Sequence, residues 1–166
     1  MTLIRASALL VALPFTAAWM PAGAAAPPEP VAWSMTIEPA SATVKAGGAI
    51  TAVVTAKLEP GWHVYSVEEL PDGPRPLRIV VPAKGAFVAK GALRCAEPER
   101  DMDEAFGQVT AFYKADFSCR TTVSAAPGTK AGPQTLAVEI SFQACDGRMC
   151  LPARIVRLTK PVTVAK

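Results

Sequence analysis

The nine residues Gln134–Phe142, QTLAVEISF, constrain the fold more than any other stretch, because Leu136, Val138, Ile140 and Phe142 alternate with Ala137, Glu139 and Ser141. A repeat of two puts the large apolar side chains on one side of an extended chain, so this segment reads as a strand with one face buried. Similar β-rich runs lie near residues 33–38, 49–58, 61–66, 77–81, 86–94, 109–123, 134–145 and 154–164, divided by Gly and Pro. Turn signals stand at Lys84-Gly85, Pro127-Gly128 and Gly132-Pro133. No long segment carries apolar residues at helical spacing. Short strands punctuated in this way predict an all-β fold, an antiparallel β-sandwich.

The chain has 166 residues, 51% hydrophobic and 19% charged, which suits one domain with its own core and leaves little room for a second. Residues 1–26, MTLIRASALLVALPFTAAWMPAGAAA, run from a basic start at Arg5 through an apolar region to small residues at Ala22, Ala24 and Ala26. That order is expected of a cleavable secretory signal; Pro14, Pro21 and the lack of stop-transfer charges weigh against a membrane anchor. Residues 27–32 form a Pro-rich lead-in and residues 33–166 the folded domain. Cleavage removes Arg5, the leader's only charged residue, and takes the formal net charge from +3 to +2. So mild a charge gives no reason to expect nucleic acid or an anionic membrane as partner. A glycine-rich phosphate loop, HExxH and GxSxG are all absent. The expectation is an exported protein of the bacterial periplasm, soluble after cleavage, monomeric and without a cofactor.

All four cysteines, Cys95, Cys119, Cys145 and Cys150, lie in the mature region. Proximity pairs Cys145 with Cys150 and leaves Cys95 with Cys119. A disulfide needs Cα atoms roughly 4.4 to 6.8 Å apart, whereas five extended steps span roughly 17 Å, so the chain must reverse between Cys145 and Cys150. Asp146-Gly147 supplies a turn signal, and a hairpin loop from Asp146 to Met149 would set the two cysteines opposite each other. Directly opposed strand residues have Cβ atoms about 4.5 to 5.5 Å apart, wider than the 3.8 Å or so of a relaxed bridge, so a readily reduced bond is expected. Arg148 would favour a thiolate here and Asp146 would oppose it, while Pro152 stiffens the exit. Spacing alone leaves two readings open: an inert staple, common in exported domains, and a pair that exchanges with other thiols.

The segment CDGRMCLPA, Cys145–Ala153, preceded by a strand, resembles the active-site hairpin of the N-terminal periplasmic domain of the thiol:disulfide interchange protein DsbD, the disulfide-bond-corrector family. GWHVYS, Gly61–Ser66, resembles that family's glycine–aromatic–x–x–tyrosine strand, and DEAFG, Asp103–Gly107, its cap loop. The likeness runs in order from about residue 33 to the C-terminus. It departs from the best-known member in the four-residue cysteine spacing and in Ala105, where that member has phenylalanine.

The resemblance implies an immunoglobulin-like β-sandwich that carries electrons from a membrane-embedded electron transporter to thioredoxin-like periplasmic partners, as a protein-disulfide reductase component. It implies that Cys150 forms the mixed disulfide and Cys145 resolves it, that Phe106 caps the pair, and that Tyr65 lines the site. Beside that lid, Asp103 and Glu104 read as loop polarity or partner contacts rather than an acid/base pair. Full-length relatives continue into a membrane module, so the electron donor is expected on a separate chain.

Cys95 and Cys119 flank the cap loop, which suggests a structural disulfide across one hairpin, anchoring the base of the lid. Closing 25 residues would contribute roughly 3 to 3.5 kcal/mol by loop entropy. His63, the only histidine, could join Met102, Met149 and the cysteines as soft ligands for copper, but a lone histidine on a strand reads as a packed or surface residue, and no metal site is expected. Trp33 and Trp62 read as core or sheet-face aromatics. The competing function is a non-catalytic envelope binding module, for copper or complex assembly, with both disulfides inert.

Overall fold

The computed structural model describes residues 29–45 and 47–166; the expected leader, residues 1–26, and the first two residues of the lead-in lie outside the described residues. The strands are β1 (Val31–Glu38), β2 (Thr43–Lys45), β3 (Ala49–Leu58), β4 (His63–Tyr65), β5 (Arg78–Val80), β6 (Phe87–Ala89) and β7 (Arg94–Cys95), followed by β8 (Glu99–Asp103), β9 (Gln108–Tyr113), β10 (Phe117–Ala125), β11 (Gly132–Phe142), β12 (Ala144–Cys145) and β13 (Arg154–Ala165). No helix occurs among the described residues.

Three sheets form. One has the order β1-β3-β10-β6 with β7 also on β10, the second β2-β13-β11-β5, and the third β12-β4-β9-β8. Pairings are antiparallel apart from β2 with β13. The first two sheets pack as an immunoglobulin-like sandwich. Alternate residues of β11 (Leu136, Val138, Ile140, Phe142) and of β10 (Phe117, Cys119, Val123) turn inward with Met35, Ile37, Ala52 and Val54 to make one apolar core. Trp33 packs edge-on against Phe117 and Phe142, its ring centroid 5.8 and 5.1 Å from theirs, and its buried indole N–H has no hydrogen-bond partner.

Several expected strands have different limits. The run near 109–123 is two strands, β9 and β10, broken at Lys114–Asp116, where the Asp116 carboxylate accepts the Leu58 N–H at 2.9 Å and ties the bend to β3. The run near 86–94 shrinks to β6 and β7, and 134–145 is interrupted at Gln143. β2 and β8 were not expected, since β8 reads ERDMD and has no apolar alternation; its pairing with β9 makes it a strand. Cys95 and Cys119 are indeed directly opposed, but on β7 and β10 of the sandwich rather than on the two arms of the cap hairpin. Between them the chain leaves the first sheet, forms β8 and β9 in the third, and returns.

The third sheet positions the site. In β4, β9 and β12, Val64, Tyr113 and Ala144 turn towards the sandwich core, while their neighbours Tyr65, Phe112 and Cys145 turn the other way and form a second, small buried cluster. One period-2 pattern therefore serves two interiors, the sandwich core on one face and the small cluster of Tyr65, Phe112 and Cys145 on the other.

Candidate functional site

The register of the third sheet assembles the site. Cys145 lies opposite His63, Tyr65 opposite Phe112, and Cys145 also forms an isolated bridge with Cys150. Opposed residues share a face of a sheet, as do residues two apart, so Cys150, Cys145, His63, Tyr65 and Phe112 all emerge on one side. That side opens into a cleft of about 670 Å³. Its far wall is the cap turn between β8 and β9 and its rim carries Met102 and Met149, which are 59% and 57% exposed.

The cysteine hairpin is shaped by Asp146. Its carboxylate Oδ1 accepts the backbone N–H groups of Arg148 and Met149, both at 2.8 Å, and its own N–H donates to the Met149 carbonyl at 2.9 Å. Those bonds hold the Asp146 carboxyl below its ordinary value, Met149 contributing most. Gly147 has no positive φ, so the reversal rests on the aspartate side chain rather than on a left-handed glycine. Behind the loop, the Leu151 N–H donates to the Ala144 carbonyl at 2.9 Å and the Gln143 amide to the Leu151 carbonyl at 3.1 Å.

Cys145 and Cys150 are bonded, with Cα atoms 4.0 Å apart. Their surroundings are unequal: Cys145 is 1% exposed, packed with Tyr65 and Phe112, whereas Cys150 is exposed at the cleft. An incoming thiolate must reach one sulfur along the S–S axis, and of the two residues, both of which line the cleft, Cys150 is the exposed one.

Asp103 organises the cap. Its Oδ2 accepts the Tyr65 hydroxyl at 2.8 Å, with the Thr110 hydroxyl further off at 3.4 Å, and its Oδ1 accepts the Ala105 N–H at 3.0 Å. Its carbonyl takes the Phe106 and Gly107 N–H groups at 3.2 and 2.7 Å, and Gly107 closes the turn with φ 63°. Burial, and then the Asp103 carboxylate, raise the Tyr65 pKa, so the phenol stays a donor to that carboxylate at neutral pH. With both carboxylate oxygens engaged, Asp103 anchors the turn between β8 and β9. Phe106 is half-buried against the small cluster, edge-on to Tyr65 with centroids 5.9 Å apart. Ala105 is exposed, so Phe106 is the cap residue that packs. Glu104 is exposed on the cleft wall.

The predicted residues Cys145, Cys150, Tyr65, Asp103 and Glu104 thus line one cleft, and Phe106 packs beside it against the cluster of Tyr65, Phe112 and Cys145. Cys95 and Cys119 lie elsewhere, bonded in the sandwich with Cys119 in its core. Sequence reading overlooked Phe112, the second aromatic wall of Cys145, and Thr110, fully buried beneath the cap. Their alternation in QVTAFY was visible, but only the pairing of β9 with β4 shows which face they take. His63, expected as a packed or surface residue, lies in the cleft, its ring 5.1 Å from Tyr65 and 5.5 Å from Phe112. Lys114 sits over the Phe112 ring, its Nζ 4.6 Å from the centroid. Among the described residues no group of three or more His, Cys, Asp or Glu side chains is placed to hold a metal ion.

A β-sandwich that presents a disulfide with one cysteine buried and one exposed in a cleft has the form of a thiol:disulfide exchange domain. Residues 34–159, well over half of the chain, match the family model for the N-terminal domain of the thiol:disulfide interchange protein DsbD, and the chain belongs to that family. Among solved structures it is similar to the reduced DsbD N-terminal domain of Neisseria meningitidis, at 13% identity and TM-score 0.47, covering 68% of this chain and 77% of that one. It is also similar to the N-terminal periplasmic domain of ScsB from Proteus mirabilis, at 12% identity and TM-score 0.48, covering 82% of this chain and 47% of that one. A search of curated proteins gives no match.

Proposed function

We propose that this chain relays reducing equivalents in the bacterial periplasm, by thiol–disulfide exchange at Cys145–Cys150, from a membrane-embedded electron transporter to thioredoxin-like partners. The observation that carries the reading is the asymmetry of the bridge: one sulfur buried against aromatic rings, the other exposed in a cleft. Family membership supports thiol–disulfide chemistry in general.

In the charging half-reaction a donor thiolate attacks Cys150 Sγ, the Cys145–Cys150 bond breaks, and Cys145 leaves as a thiolate. The donor's second thiol then displaces Cys150, so the donor is oxidised by two electrons and the pair is reduced. In the discharging half-reaction the Cys150 thiolate attacks a partner disulfide, and Cys145 attacks Cys150 in turn, reforming the bridge and releasing the partner as a dithiol. Phe106 and the Asp103-anchored turn shield the buried sulfur from small thiols and oxidants and yield when a partner docks.

Single cysteine variants test the roles. With a reduced thioredoxin carrying one active cysteine, Cys145→Ser is expected to accumulate a mixed disulfide, after activation of its free Cys150, and Cys150→Ser to form none. The reverse pattern would overturn the assignment of the attacked sulfur. An unaltered bridge that reduced thioredoxin cannot open would overturn the exchange reading itself.

A further inference from the structure

Resting on the exchange reading, we propose that His63 is the proton acceptor for Cys145: it takes the thiol proton when Cys145 attacks the mixed disulfide and returns it when Cys145 is displaced. The hairpin hydrogen bonds, Asp146 N–H to Met149 carbonyl and Leu151 N–H to Ala144 carbonyl, flank the Cys145–Cys150 pair. In an antiparallel ladder this directs the N–H and C=O of Cys145 the other way, towards β4, where its opposed residue is His63. The two side chains therefore stand side by side on the cleft face, on Cα atoms about 5.5 Å apart, a span that an imidazole can bridge to a thiol.

The need for a base follows from where Cys145 sits. A thiol 1% exposed between Tyr65 and Phe112 is hard to ionise, because apolar surroundings disfavour the thiolate. An imidazolium formed beside it supplies the compensating charge. The other groups around the histidine are committed or unsuited. Asp103 of the cap turn holds Tyr65, and Asp146 of the cysteine loop holds its own backbone. Asp101 of β8 is exposed and accepts the Met102 N–H at 2.8 Å. Glu104 and Arg148 are exposed, Tyr65 on the same strand is a donor, and Lys114 at the end of β9 is a cation that can steady negative charge without accepting a proton. The His63 ring makes no side-chain hydrogen bond among the described residues, so its nitrogens are uncommitted. Burial lowers its pKa most, Lys114 adds to that, and Asp103 and Asp146 oppose it, which leaves the imidazole neutral and able to accept at neutral pH.

The step balances. In the mixed disulfide, Cys145 gives its proton to His63 and attacks Cys150 Sγ; the Cys145–Cys150 bond forms and the Cys150–partner bond breaks. The partner sulfur leaves with the electron pair, reduced, and the imidazolium proton passes to it or to water.

Two measurements decide this. The first isolates the mixed disulfide of the reduced chain with glutathione and follows its resolution by acid quench across pH. His63→Gln is expected to slow resolution near pH 7 by at least about tenfold and to move the rise of rate with pH up to the range of an unassisted thiol, about 8.5 or above. The second needs no variant: His63 is the only histidine, so its imidazole C2–H signal is unambiguous. Its titration midpoint is expected to differ between the disulfide and dithiol forms. An identical resolution profile in His63→Gln, or an identical midpoint in the two redox forms, overturns the role of His63 while leaving exchange intact. A bridge in the unaltered chain that neither dithiothreitol nor glutathione opens overturns the exchange reading and this role together.

Discussion

Cys95–Cys119 and Cys145–Cys150 are both cross-strand pairs of an antiparallel ladder, with Cα atoms 3.9 and 4.0 Å apart. Backbone placement does not separate them; their neighbours do. Cys119 is buried in the sandwich core and Cys95 is half-buried against it. Cys150 is exposed in a cleft whose walls hold a histidine, the aromatic side chains of Trp62, Tyr65 and Phe112, and an aspartate-anchored turn. The loops they close differ as well, with sequence separations of 24 and 5. In the loop-entropy model that corresponds to about 3.5 kcal/mol for the longer and about 2 kcal/mol for the shorter. The bridge that restrains the chain more is the one that incoming thiols reach less.

The largest effect expected of breaking this contrast comes from the sandwich bridge. Replacing Cys95 and Cys119 together by alanine should cost about 3.5 kcal/mol in denaturant unfolding and leave exchange at Cys150 unchanged. A loss of exchange without a loss of stability would reverse the division of labour. Next is Tyr65→Phe, which strips the Asp103 carboxylate of the shorter of its two side-chain donors and leaves the Thr110 hydroxyl at 3.4 Å. It should cost about 1.5 kcal/mol and loosen the cap, seen as faster amide exchange at Ala105, Phe106 and Gly107.

Phe106→Ala removes the edge-on contact with Tyr65 and should cost about 1 kcal/mol. Its sharper signature is faster attack on the Cys145–Cys150 bridge by glutathione, with no change at Cys95–Cys119; equal rates before and after would remove Phe106 from the lid. The smallest effect is a pH dependence. Burial lowers the His63 pKa, so between that value and about 6.5 the folded chain binds fewer protons than the unfolded one. Stability is therefore fully present above about pH 6.5 and falls as pH drops through the lowered value. His63→Gln should flatten that fall, and unfolding curves at about pH 7.5 and pH 5 measure it.

The sandwich was legible in the sequence because its strands carry their own evidence: Leu136, Val138, Ile140 and Phe142 alternate, and all four are buried. β8 was not legible, since ERDMD becomes a strand only through its partner β9. Within the site, the cysteine hairpin, Tyr65, the DEAFG turn and its Phe106 could be read locally, as adjacent residues or by resemblance. His63, Phe112 and Thr110 could not, because their roles depend on cross-strand register between segments as distant as Cys145 and His63. The turn was located correctly at Asp146-Gly147, but a dipeptide cannot show that the aspartate carboxylate, rather than glycine φ, makes it.

The most direct test of the contrast equilibrates the unaltered chain in graded thiol buffers, alkylates the free thiols and maps them by peptide mass. Cys145 and Cys150 should become labelled while Cys95 and Cys119 remain bonded, with the first pair opening above about −300 mV and the second only below it. Labelling of all four cysteines at one potential, or of Cys95 and Cys119 first, would contradict the distinction between a redox bridge and a structural one.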